Sequence, residues 1–168
     1  MSRESYEKII CPECGKENNL TIWHSLNAEI SPDAKAALID GSLFDFHCAY
    51  CDCRSKVDYP ILYHDMTHQA MVYYVDEGSV DKTIQTMLDA QRTMGIDMPG
   101  YRRRIVTDQN SLREKAIIFD NDLDDRIVEI IKLLYFADAS KQFPDAGITA
   151  VYFLVRDGTF TLEFVGDQ

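Results

Sequence analysis

The sequence has no run of about 18 apolar residues, so no segment is suited to cross a bilayer as a helix. It is also short of positive charge. Seventeen Lys and Arg face 28 Asp and Glu, for a formal net charge of −11. A phosphate-binding surface needs clustered cations, and acids dominate both halves of this chain, so nucleic acid is not an expected partner. The basic run Arg102-Arg103-Arg104 is too short to line a groove. It reads as an exposed strand start paired with nearby acids, with an anionic ligand or acidic partner as the alternative. Missing too are a Gly-rich phosphate loop, a His-Glu-x-x-His motif and an evident Ser-His-Asp arrangement. The stretch Met1 to Lys8 is polar and lacks the apolar core of a signal peptide. The expected compartment is therefore the cytoplasm, where thiols stay reduced and a Cys-x-x-Cys pattern points to metal or catalysis rather than a structural disulfide.

What is present begins with two short cysteine turns, Cys11-Pro12-Glu13-Cys14-Gly15 and Cys48-Ala49-Tyr50-Cys51. Each turn can present two thiolates to one ion, and two turns complete the tetrahedron that zinc prefers. Gly15 supplies the left-handed backbone expected after the second cysteine of such a knuckle. In the second turn Asp52 stands there, a residue that tolerates the same conformation. Cys53 lies close by, which leaves Cys48 with Cys53, or Cys51 with Cys53, as alternative pairs. Cys48 and Cys51 are preferred because their spacing matches the first turn. Four thiolates around one Zn²⁺ would add a charge of about −2. Of the histidines, His24 and His47 flank these turns, but four cysteines suffice without them.

With 168 residues, 46% of them hydrophobic, the chain can build a true core. Residues 7–76 read as a zinc-ribbon-like β module. Asn19 to Ile30 is an expected strand, broken by Pro32, and Ala34 to Asp40 a short helix stopped by Gly41. Leu43 to His47 leads into the second cysteine turn, and Lys56 to His64 and Gln69 to Val75 alternate as two antiparallel strands. Residues 79–168 read as an α+β body. Ser79 to Met94 is a helix with Gly95 as its stop, and Tyr101 to Val106 a short strand. Thr107 or Asp108 caps a helix to about Phe119, and Asn121 or Asp122 caps another to about Ala137. In the last helix Leu123, Ile127, Ile130, Ile131 and Leu134 fall on one apolar face. Ile148 to Val155 and Thr159 to Val165 form a hairpin around Asp157-Gly158. The expected fold is thus α+β: a zinc-ribbon-like module joined to a mixed or antiparallel sheet, about three helices and a C-terminal β-hairpin.

Three other readings compete for chemistry. Cys11-Pro12-Glu13-Cys14 could be a redox dithiol, which requires a strand leading into a long helix; Gly15 and a polar run follow instead. A catalytic zinc needs an open coordination position, which four thiolates do not leave. His64 and His68 flank the turn Asp65-Met66-Thr67 and would face each other in a hairpin, a candidate second metal site with Asp65. Asp124, Asp125 and Arg126, with Glu129, read either as a carboxylate site for acid–base work or a divalent ion, or as helix capping and dipole compensation.

These residues resemble the CpXC family, proteins mainly of bacteria. The resemblance rests on the two cysteine turns and on Pro60-Ile61-Leu62-Tyr63 with Asp65. It extends through Leu112-Arg113-Glu114-Lys115 to Leu123-Asp124-Asp125-Arg126-Ile127-Val128-Glu129, and spans about residues 7–135, with the C-terminal hairpin as an extension. Ala49 departs from the proline typical of that position, which shapes the turn but gives nothing to a metal. The resemblance implies a zinc-ribbon-like module on an α+β body and no activity. The preferred expectation is a non-catalytic protein-interaction module with a structural zinc on Cys11, Cys14, Cys48 and Cys51, binding a protein partner or itself. An enzyme using the Asp124-Asp125-Arg126 cluster, or a thiol redox protein, is the alternative.

Overall fold

A computed structural model of the chain describes residues 1–94 and 99–166. It is an α+β fold that divides into two compact units, Met1–Leu112 and Arg113–Gln168. Among the described residues no helix is long and apolar enough to cross a membrane.

The first unit holds a five-stranded mixed sheet in the order β1-β2-β5-β6-β7. β1 (Arg3–Ile10) and β2 (Glu17–Asn27) form an antiparallel hairpin whose connection is the first cysteine turn. β2 ends earlier than the alternation suggests, because the Asn27 side chain accepts from the backbone N–H of Glu29 and Ile30 and turns the chain. Pro32 then opens helix α1 (Pro32–Asp40), and Gly41, at φ 90°, closes it by donating to Ala37 and Leu38 carbonyls.

The expected strand Lys56 to His64 is two strands. β4 (Arg54–Lys56) pairs with β3 (Asp45–His47) around the second cysteine turn, whereas β5 (Ile61–Asp65) joins the main sheet parallel to β2. The break has a local cause: Val57 donates to the Phe44 carbonyl, and Pro60 has no N–H to give to a ladder. β5 pairs antiparallel with β6 (Ala70–Tyr74), and β6 pairs parallel with β7 (Arg102–Val106). Parallel pairing needs a crossover, and α2 (Val80–Met94) lies in that connection. The expected stop Gly95 and the Met94 side chain lie outside the described residues. In β7, Arg102 donates to the His68 carbonyl, so this arginine serves the turn below it.

Ile61, Tyr63, Ala70, Val72 and Tyr74 bury the inner face of β5 and β6, with Leu26, Leu38 and Phe44 in the same core. Phe44 stacks on Tyr59 and meets Tyr74 edge-on. A satellite cluster of Cys11, Phe46 and Cys48 sits under the two cysteine turns, with Ile9, Leu20 and Val57 packed against it.

Helix α3 (Gln109–Asp120) begins in the first unit and runs into the second. Asp108 caps it, accepting from Ser111 N at 2.8 Å. In the second unit α4 (Asp125–Gln142) and a hairpin of β8 (Ile148–Arg156) and β9 (Thr159–Gly166) follow. Asp157 and Gly158 both have positive φ, 51° and 73°, the backbone of a type I′ turn. The start of α4 differs from expectation. Asn121 and Asp122 do not cap it; Asp122 is itself left-handed at φ 54°, and Asp124 is the cap, accepting from Arg126 N. The helix also runs one turn past Ala137.

Candidate metal centre

Each cysteine pair sits in the turn of a hairpin. In the first, Gly15 N donates to Cys11 O at 2.9 Å and Cys11 N to Lys16 O at 3.0 Å. Gly15 has φ 68° with no heavy atom near the position of a Cβ, so glycine is needed there for its backbone rather than its size. In the second, Cys48 N donates to Cys53 O at 3.0 Å, and Tyr50 N approaches Cys48 Sγ at 3.4 Å. N–H groups aimed at sulfur are what a knuckle offers a thiolate.

The two turns close on one another. The Sγ atoms of Cys11, Cys14, Cys48 and Cys51 all lie within 4.8 Å of one another. Cys11 to Cys51 is 3.7 Å and Cys14 to Cys48 is 3.6 Å. A disulfide would need about 2.05 Å. A tetrahedron with metal–sulfur bonds of about 2.3 Å has edges of about 3.8 Å, so the sulfur spacing fits a metal ion held between the turns. Cys11 and Cys48 are buried and Cys14 exposed, which leaves an entry side. Cys53 does not belong to the quartet; it packs against the cluster beneath.

The electrostatics agree. Burial pushes the Cys48 thiol up, but N–H groups of Tyr50 and Cys51, the Cys11 side chain and Asn18 overcome it and bring it down to about 6. The Cys14 N–H likewise leads in lowering Cys11. Cys51 accepts from Cys53 N–H, which favours its thiolate, yet burial and the neighbouring sulfurs carry it up to about 12. One thiolate therefore forms easily and the last resists, as expected for four sulfurs sharing a site without a cation. A divalent ion reverses that resistance.

Sequence reasoning missed Asn18. It is buried, donates to Lys16 O at 3.0 Å and to Cys48 Sγ at 3.5 Å, and accepts from Ala49 N at 2.8 Å. One amide thus joins both turns. The available signal was parity: Asn18 shares a strand face with Leu20, which packs beneath the sulfurs. A second link is Lys16, whose ammonium lies 4.8 Å from the Tyr50 ring centroid.

The remaining candidates disperse. His24 bonds Ser5 Oγ at 2.9 Å, and neither it nor His47 belongs to the sulfur quartet. His64 and Asp65 are neighbours on β5 and point to opposite faces. His64 meets Tyr101 Oη at 3.1 Å, while His68 Nδ1 lies 2.9 Å from Asp65 Oδ2. The two histidines do not face each other. Asp65 is fully buried; burial raises its carboxyl, but His68 N–H, the His68 ring and Tyr63 hold it below its usual range. Asp124 and Arg126 bind one another through two contacts of 3.0 and 2.6 Å in an exposed pair. Asp125 instead turns inward to Lys115 at 3.4 Å, and Glu129 takes the same ammonium at 2.6 Å.

The sequence model of the CpXC family, described as CpXC protein, matches residues 9–132. That span holds both cysteine turns and the α3–α4 junction and covers most of the chain. The chain belongs to the CpXC family. Neither a search of curated proteins nor a search of solved structures returned a match. In this CpXC chain the hairpin β8–β9 lies beyond the matched region.

Proposed function

We propose that this CpXC protein is a non-catalytic protein-interaction module whose first unit is built around a structural zinc ion on Cys11, Cys14, Cys48 and Cys51. The observation that carries the reading is the sulfur quartet with edges of 3.6 and 3.7 Å, drawn from two hairpin turns 34 residues or more apart. Four thiolates fill the coordination sphere of zinc, and a filled sphere suits structure rather than catalysis. The first turn leads into strand β2 rather than a long helix, which is the wrong setting for a redox dithiol. An acid–base site on Asp124, Asp125 and Arg126 needs three converging side chains, whereas Asp124 and Arg126 hold each other and Asp125 is buried against Lys115. The net charge of −11 argues against nucleic acid; a protein partner or self-association remains. Thiol ligands fit a reducing compartment such as the cytoplasm.

Elemental analysis of the purified chain tests this directly. One zinc per chain is the expected result. Iron in its place, with visible charge-transfer absorption, would move the site to the other metal that takes four thiolates; no metal at all would sink the reading.

A further inference from the structure

Helix α4 buries charge on one side and exposes an aliphatic stripe on the other. Its buried side carries charges beside the apolar Val128: Asp125 is only 2% exposed, and Lys132 is held by Glu114 of α3 at 2.7 Å. Glu114 in turn accepts from the backbone N–H of Phe153 on β8. Its outer side carries the aliphatics. Ile127, Ile130 and Leu134, one apolar stripe at helical spacing, are 58%, 59% and 64% exposed. Ile131 and Tyr135 continue the stripe toward the hairpin and, with Ile127, Phe160 and Phe164, line a groove of about 520 Å³.

Taking about 130 Å² for an aliphatic side chain and about 200 Å² for an aromatic one, these seven residues expose roughly 600 Å² of apolar surface. That is at the top of the range for the largest patch on a monomer. It exceeds the apolar share of one partner's side in a standard interface, about 450–500 Å² of about 800 Å².

We propose that this face, α4 with the β9 side of the hairpin, is where a second copy of the same chain docks, antiparallel across a twofold axis. The inference rests on the reading of the chain as an interaction module and names the partner. One observation favours a second copy over other occupants. The area suffices for a stable isologous contact. An antiparallel pair also sets the start of each α4 beside the end of the other, the arrangement helix dipoles favour.

The test is sedimentation velocity of the full chain from about 1 to 100 μM, a range that brackets ordinary dimer affinities, with zinc content measured on the same samples. The expected result is a species of twice the 19.3 kDa chain mass. The Ile130→Glu, Leu134→Glu variant is expected to weaken association by at least about thirtyfold, the effect of losing one packed anchor, with zinc and helix content unchanged. Should that variant fold poorly, hydrogen exchange of the wild-type chain at low and high concentration gives the same answer: protection that rises with concentration in α4 and β9. A wild-type chain that stays monomeric while carrying its zinc would overturn this proposal and leave the module reading standing, with a heterologous partner or an apolar ligand as occupant. A dimer that persists unweakened in the folded variant would overturn the assignment of the face. Loss of zinc would instead strike the reading beneath it.

Discussion

The two units solve the same problem in different ways. The first puts apolar side chains inside and brings four sulfurs together at its margin, where two hairpin turns too small to hold themselves would share a cation. The second buries charge within its apolar core: Glu114 and Asp125 are buried among Lys115, Lys132 and the Phe153 N–H, as are Ile118, Phe119, Val151 and Leu154, while an aliphatic stripe faces out. The lesson is that burial does not follow polarity alone. Buried charges persist where each has partners, and an exposed apolar face persists where something else is to cover it.

The sharpest way to break the comparison is to remove the sulfur end. A Cys11→Ser, Cys14→Ser variant is expected to lose its metal and the order of the two turns, since a structural zinc supplies on the order of 10 kcal/mol of apparent folding free energy. Circular dichroism and hydrogen exchange would show the loss, with protection in α4 retained. If the two turns keep their protection without metal, the first unit does not depend on the ion.

The buried charge of the second unit comes next. Glu114→Ala leaves the Lys132 ammonium and the Phe153 N–H without this acceptor and is expected to cost about 3–5 kcal/mol in chemical denaturation. Glu114→Gln combined with Lys132→Met keeps an acceptor for Phe153 N and removes both charges, and should cost far less. Equal losses in the two variants would mean that shape, not charge pairing, sets the cost.

Smallest in stability, and most specific, is Asn18→Ala. Removing the amide that joins both turns should weaken metal affinity by about 10- to 100-fold, read by competition with a chelator, while the sheet stays folded. An unchanged affinity would make Asn18 a packing residue only.

Much of this was legible in the sequence, for identifiable reasons. The cysteine turns are local, and Gly15 marks the backbone that a knuckle requires. Asp157-Gly158 marks its hairpin because only a few residues accept positive φ. The direction of α4 was not legible. Ile127, Ile130, Ile131 and Leu134 do share a face of α4, as their spacing says, while Leu123 precedes the helix; periodicity tells which residues point together and not which way. That was decided by Lys132 and Asp125, whose partners lie on α3 or beyond. The start of α4 slipped from Asn121 or Asp122 to Asp124 because four acidic or amide residues in five all qualify as caps, and only backbone geometry selects one. Asn18 was hidden because a polar residue in a strand gives no sign of its partner until the second turn, 30 residues away, is in place.

The account stands most directly on what lies between the four sulfurs. X-ray absorption at the zinc edge of the purified wild-type chain should show a first shell of four sulfur atoms at about 2.3 Å. A shell with fewer sulfurs, completed by nitrogen or oxygen, would contradict the Cys11, Cys14, Cys48 and Cys51 site on which the first unit is argued to be built.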